Sequence, residues 1–352
     1  MSLYKIKTLD ELKRHLNAAM QLEHATIPLY LTALYSIVPG TNREGFHIVR
    51  AVAVEEMLHL TLVCNLLNAV GGHPDLSAPG FTPNYPAYLP DGEEDFAAGL
   101  QRFSPDAIET FLKIERPASL KPHESNKRLR KRKGALLSAG HTDAAEEEHF
   151  FSIGEFYKAV EMGLDDLYAE MGDALFCGDP ALQVGPEYYY SGGGGLLTVT
   201  DMTSAKKALD LIAEQGEGIT GHIFDEDGEI AHYYRFQQLV LGRFYREGDL
   251  HNHPTGGEVE VDWNAVYPIK PNAKISDFPE GSEVRAAAES FNAIYAQYLA
   301  LLTRAFNGEP NLLIDAVGDM FRLKELTYQL MRQPIGDGSE FNAAPTFEIN
   351  LA

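Results

Sequence analysis

The sequence predicts an all-α protein: a four-helix bundle with long inserted loops and an additional helical hairpin toward its C-terminal end. Three observations lead there. Apolar residues recur at steps of three and four over several long stretches. No comparable stretch alternates with the period of two that a strand requires. Pro-Gly and Gly-Gly pairs stand where those periodic stretches end. Residues 1–250 are expected to form the bundle and its insertions, and residues 251–352 a loop and a helical hairpin packed on it.

The first helix is expected after "IKTL", with Asp10 as its N-cap. Its seam runs through Leu12, Leu16, Ala19, Glu23, Ile27, Tyr30 and Leu34, and Pro39-Gly40 stops it. Pro28 lies inside it, where a missing amide hydrogen and the ring should bend the axis just past Glu23. A second helix is expected from about residue 45 to 70, closed by Gly71-Gly72. Its seam is Val49, Val52, Glu56, His59, Val63, Leu66 and Val70. The short turn "PGTNREG" makes these two helices an antiparallel hairpin.

Residues 73–104 are rich in Pro, Gly and Tyr and read as an ordered loop. Ser104-Pro105 opens a short helix, with the proline in its first turn. A polar, basic stretch over 117–144 precedes a third long helix at about 146–172. The segment "FCGDPALQVGPEYYYSGGGGLLTV" reads as loop with room for one strand. Helices follow at about 203–215 and 229–246, a loop over 251–283, and then the hairpin at about 284–307 and 310–333.

The chain has 352 residues with 51 acids and 29 bases, a formal net charge of −22. That balance argues against nucleic acid and anionic membranes as partners. The basic run "NKRLRKRKG" (Lys127 to Lys133) is read as a solvated segment because its surroundings are acidic. Cys64 and Cys177 are the only cysteines, too few for a disulfide framework or a thiolate zinc site. The N-terminal sequence enters a charged helix with no signal peptide, and no uncharged stretch makes a good membrane span. The expected location is cytoplasmic.

The chemistry lies on the seams. Glu23, Glu56 and His59 occupy positions where a bundle buries aliphatic residues, and a lone buried carboxylate there costs several kcal/mol or is neutralised. The pattern recurs in "GEIAHYYRF", where Glu229 and His232 are again three apart on an apolar stripe. Two Glu-x-x-His pairs plus a seam Glu on a neighbouring helix match a carboxylate-bridged dimetal site in a bundle. Mixed carboxylate and imidazole donors suit iron or manganese better than soft metals. The remaining carboxylate is left among Glu155 in the third long helix and Glu217 or Glu214 in "AEQGEG". His24, His251 and His253 are read as structural, and "SGGGGLL" lacks the spacing of a nucleotide loop.

The stretches "QLEHATIPLYLTALYS", "AVAVEEMLHLTLVCNLLNAVGG", "SIGEFYKAVEMGL", "EQGEG" and "HYYRF" together resemble the ferritin-like domain family of iminophenyl-pyruvate dimer synthase. That resemblance spans roughly residues 10–250. It implies a ferritin-like bundle and, for the named members, oxidative coupling of two imines made from an aromatic 2-oxo acid. Carried to matching positions, it implies metal roles for Glu23, Glu56, His59, His232, Glu229 and Glu155. The expected cofactor is iron, as two non-haem ions, with manganese or zinc as alternatives. The expected partner is a small-molecule substrate such as an aromatic 2-oxo or imino acid; a homo-oligomer is left open. The reading that follows is a di-iron oxidoreductase dependent on dioxygen or peroxide. Its rivals are a metal-storage protein without turnover and a structural module with a degenerate or single-zinc site.

Overall fold

The computed structural model of the chain describes residues 6–89, 96–117, 120, 153–190, 195–216, 222–225 and 228–349. Among them, eight α-helices and several short 3-10 turns carry the architecture, and β-pairing is confined to isolated bridges. Helices α1 (Leu9–Ser36) and α2 (Arg43–Ala69) form the long antiparallel hairpin. The others are α3 (Pro105–Ile114), α4 (Ile153–Met171), α5 (Met202–Gly216), α6 (His232–Leu241), α7 (Glu283–Ala305) and α8 (Leu312–Met331).

Local chemistry sets the helix ends. Thr8, not Asp10, caps α1: its hydroxyl accepts from the Glu11 amide while Glu11 accepts from the Thr8 amide. This reciprocal box satisfies two amides that the first turn leaves open. Ser104 caps α3 one-sidedly, its hydroxyl accepting from the Ala107 amide, with Pro105 in the first turn. Helix α1 runs through Pro28 without ending. The Tyr85 hydroxyl donates to the Ala25 carbonyl in the turn that the proline interrupts.

Around the hairpin, α4 packs on α1, α5 and α6 pack on α2, and α3 packs on α6. On another side α8 rests against α1 and pairs with α7. Phe291, Tyr295 and Leu299 of α7 belong to the same apolar cluster as Leu16, Ala19 and Val63, so one core joins the C-terminal hairpin to the bundle. Asn65, fully buried on α2, pins the irregular segment before α5. Its amide donates to the carbonyls of Val184 and Leu197 and its oxygen accepts from the Val184 amide.

Two further expectations change, and a third lies partly outside the described residues. Among the described residues no strand follows Phe176: that region forms 3-10 turns at Pro180–Leu182 and Pro186–Tyr188. The helix expected over about 229–246 is only His232–Leu241, because Phe224 pairs with Ile230 just ahead of it. There the Asp225 amide bonds the Glu229 carbonyl and Gly228 takes φ +80°. The third long helix is described from Ile153 onward; its expected start and the basic run 127–133 lie outside the described residues.

Candidate metal centre

Helices α1 and α2 present Glu23, Glu56 and His59 toward one another because their seams face inward at these positions. All three are at most 4% exposed. His59 Nδ1 lies 3.5 Å from Glu23 Oε2 and 4.0 Å from Glu56 Oε1. From the other side comes His232, the first residue of α6 and wholly buried, with Nδ1 3.0 Å from Glu56 Oε1 and 3.5 Å from Glu115 Oε2. The side chains thus form two triads, Glu23–Glu56–His59 and Glu56–Glu115–His232. Within each, ligand atoms lie within 4.8 Å of one another, and Glu56 belongs to both.

The outward nitrogens of both histidines are tethered. His59 Nε2 meets Gln215 Oε1 at 2.9 Å and His232 Nε2 meets Glu55 Oε2 at 2.8 Å. Each acceptor calls for a proton on Nε2, which leaves the lone pair on Nδ1 pointing into the cluster. Arg235 steadies Glu55 at 3.1 Å. The carboxylates are oriented too: the Thr26 hydroxyl reaches Glu56 Oε2 at 3.0 Å, Tyr30 donates to Glu115 and Tyr157 of α4 donates to Glu23.

Three buried carboxylates in one place demand positive charge. Burial, and next the Glu115 charge, pushes the Glu56 carboxyl up to about 8. Burial alone would lower the His59 pKa, but the Glu23 carboxylate outweighs it and the net shift is upward. Burial likewise opposes protonation of His232, yet Glu115, Glu55 and Glu56 raise it well above the ordinary imidazole value. The Tyr30 and Tyr157 phenols are raised well above theirs, by burial first and by the adjoining carboxylates next.

This donor set fits a pair of metal ions. It offers oxygen and imidazole nitrogen without thiolate, since Cys64 and Cys177 lie outside both triads. His232 Nδ1 makes no hydrogen bond although Glu56 Oε1 is 3.0 Å away. That misaligned approach suits two donors directed at a common cation better than at each other.

Of the residues proposed from sequence, Glu23, Glu56, His59 and His232 are brought together. Glu229 is not: it precedes α6, so its three-residue spacing from His232 carries no helical phase. Its side chain is 57% exposed and pairs with Arg235 at 3.2 Å. Glu155 is half-buried in the first turn of α4 and outside both triads; Tyr157, two residues on, is what α4 sends inward. In "AEQGEG", Gln215 touches His59 while Glu214 lies outside the triads, and Glu217 lies outside the described residues. The carboxylate that sequence reasoning missed is Glu115, just past the end of α3. It continues the buried stripe Ile108–Phe111 at steps of three and four, and an acid at a helix C-terminus is disfavoured by the dipole unless compensated.

The ferritin-like family model matches residues 16–241, more than half of the chain and every member of both triads. The chain belongs to the ferritin-like family. A crystal structure of a ferritin-like protein from Caulobacter vibrioides superposes with a TM-score of 0.60 at 25% identity, covering 92% of this chain and 98% of that one. This ferritin-like chain is also 28% identical over 330 residues to dichlorochromopyrrolate synthase of Lentzea aerocolonigenes. That alignment covers 85% of this chain but 29% of the relative, so the chain spans less than a third of the relative's length. No described helix is long and apolar enough to cross a membrane.

Proposed function

We propose that this ferritin-like chain is a non-haem di-iron oxidoreductase acting on a small organic substrate. The observation that carries this reading is the double triad sharing Glu56, with each histidine tethered at Nε2 and its Nδ1 turned toward the triad carboxylates. Glu56 would bridge, Glu23 and His59 would hold one ion, and Glu115 and His232 the other. Bound there, two iron ions would supply the electrons that reduce dioxygen or peroxide while the substrate is oxidised.

The chain's own residues do the rest. Gln215 and Glu55 fix the ring planes, and Thr26 fixes one oxygen of Glu56. Tyr30 and Tyr157 keep their protons and donate hydrogen bonds to Glu115 and Glu23, so each carboxylate has one oxygen held by a phenol and the other facing a histidine Nδ1, where it would be offered to a metal. Phe111 and Phe236, both buried and packed on the Tyr30 ring that reaches Glu115, shield that side of the cluster from bulk water. The resemblance of the quoted stretches to the iminophenyl-pyruvate dimer synthase family supports an aromatic 2-oxo or imino acid as the substrate class.

The test is anaerobic loading with Fe(II) followed by air. About two equivalents of iron per chain and an optical change on aeration are expected for a paired centre. One equivalent, or zinc alone with no optical change, overturns the oxidoreductase reading and leaves a metal-binding or structural module. Iron that accumulates in oxidised form without being reduced again by any organic substrate indicates storage.

A further inference from the structure

The C-terminal hairpin leaves a small cavity against the flank of the α1–α2 pair, with room for about 60 Å³. It lies at the height of the metal centre. His24 and Ile27 line it from α1, within about one turn of Glu23, and Met57 and Leu60 line it from α2, within about one turn of Glu56. Tyr295 and Leu302 of α7 face it from the opposite side.

Helical phase relates the cavity to the centre. Successive residues differ by about 100°, so His24 and Met57 turn well away from the glutamates they follow. Ile27 and Leu60 do not. Each comes four residues after its glutamate, about 40° round the helix from it, and both are buried. Ile27 also stands between Glu23 and Tyr30 on the α1 seam, and Tyr30 ends on Glu115. These two aliphatic side chains therefore occupy the edge that the cavity shares with the metal centre.

Size and lining select the guest. An apolar cavity of about 150 Å³ takes benzene or xenon, so one of about 60 Å³ admits a body of about two heavy atoms. Water is small enough but needs several polar partners to stay. Thr32 and Thr327 spend their hydroxyl hydrogens on the Pro28 and Leu323 carbonyls of their own helices, and His24 Nε2 is engaged by the Tyr295 hydroxyl. The rest of the lining is mainly aliphatic, aromatic or thioether, and Lys324, its one ammonium group, is half-buried. Such walls favour a nonpolar diatomic over water.

We infer that this cavity is a holding site for dioxygen, one side-chain layer from the metal centre, and that Ile27 and Leu60 are the layer the gas crosses. The use of dioxygen rests on the oxidoreductase reading; occupancy by a small nonpolar gas does not, since no residue of either triad lines the cavity.

Xenon under pressure is the probe. In the full, chelator-treated chain it should shift the methyl NMR resonances of Ile27, Leu60 and Leu302 saturably. Leu302→Phe and Leu31→Phe add bulk from two different helices, and each should remove those shifts; if one variant fails to fold, the other still decides. Loaded with Fe(II), the variants should keep the parent's iron content and its rate of optical change at saturating dioxygen, while the dioxygen concentration giving half that rate rises. The inference is overturned if xenon leaves those methyls unmoved, if it moves them equally in the filled variants, or if those variants keep the parent's dioxygen dependence. The two readings fail separately. Xenon binding with no optical change in the parent sinks the oxidoreductase reading, and the dioxygen assignment with it, but leaves a gas site. An optical change without xenon binding sinks the holding site alone.

Discussion

The rings of His59 and His232 lie 24° from parallel with centroids 5.5 Å apart, one from the middle of α2 and the other from the first position of α6. Their Nδ1 atoms approach the same Glu56 oxygen, at 4.0 and 3.0 Å. Two imidazoles held this way, each anchored from behind, make a frame with room for a pair of cations and the carboxylate between them.

Glu115→Gln should remove one of two metal equivalents, and Glu56→Gln should disrupt both, because Glu56 is common to the triads. Glu229→Gln should leave metal content unchanged, since that side chain is exposed and bonded to Arg235. Elemental analysis of purified variants, with circular dichroism as a fold check, decides the matter. Loss of metal in Glu229→Gln but not in Glu115→Gln would reverse the assignment.

Gln215→Leu and Glu55→Leu act one bond further out. Neither side chain belongs to a triad, yet each fixes the tautomer and plane of a histidine. Each substitution should weaken metal affinity by about 10–100-fold while full occupancy is still reached at excess metal. Competition against a calibrated chelator measures this, and unchanged affinity in both variants would refute the tethering role.

Asn65→Ala should destabilise the fold by about 2–4 kcal/mol, because three buried hydrogen bonds are lost and backbone groups are left unpaired. The urea midpoint reports it. A shift within experimental scatter would mean that the 183–199 segment is held by other contacts.

His15 sits part-buried with Nδ1 2.8 Å from the Glu11 carbonyl, and burial lowers its pKa below 6.5. A folded value below the unfolded one means that the unfolded chain takes up the proton first. The group's contribution is therefore intact above the unfolded value and is lost as the pH falls through the lowered, folded one. Between about pH 7 and about pH 5 the His15→Gln variant should lose less stability than the parent. Equal losses in denaturant titrations would exclude His15 as a source of the acid sensitivity.

The α1–α2 hairpin and its triad residues were legible because long helices preserve phase: Glu23, Glu56 and His59 fall on seams that periodicity alone identifies. His232 was legible as part of an apolar stripe. Glu229 misled because the same three-residue spacing means nothing when the first partner stands in a turn, and periodicity does not report where a helix begins. Glu115 was hidden for the complementary reason, as a single residue beyond a short helix with no paired histidine in its own sequence neighbourhood. The tyrosines were hidden because a phenol on a buried face is ordinarily packing, and only the fold shows that Tyr30 and Tyr157 end on carboxylates.

The position of Glu115 makes the two halves of the centre unequal. One half is gripped between the two longest described helices, whereas the other leans on a residue hanging from the end of the ten-residue α3. Fraying of that last turn slackens one half and leaves the other clamped. Metal should therefore leave in two kinetic phases under chelation, the faster one drawn from the side that α3 supports.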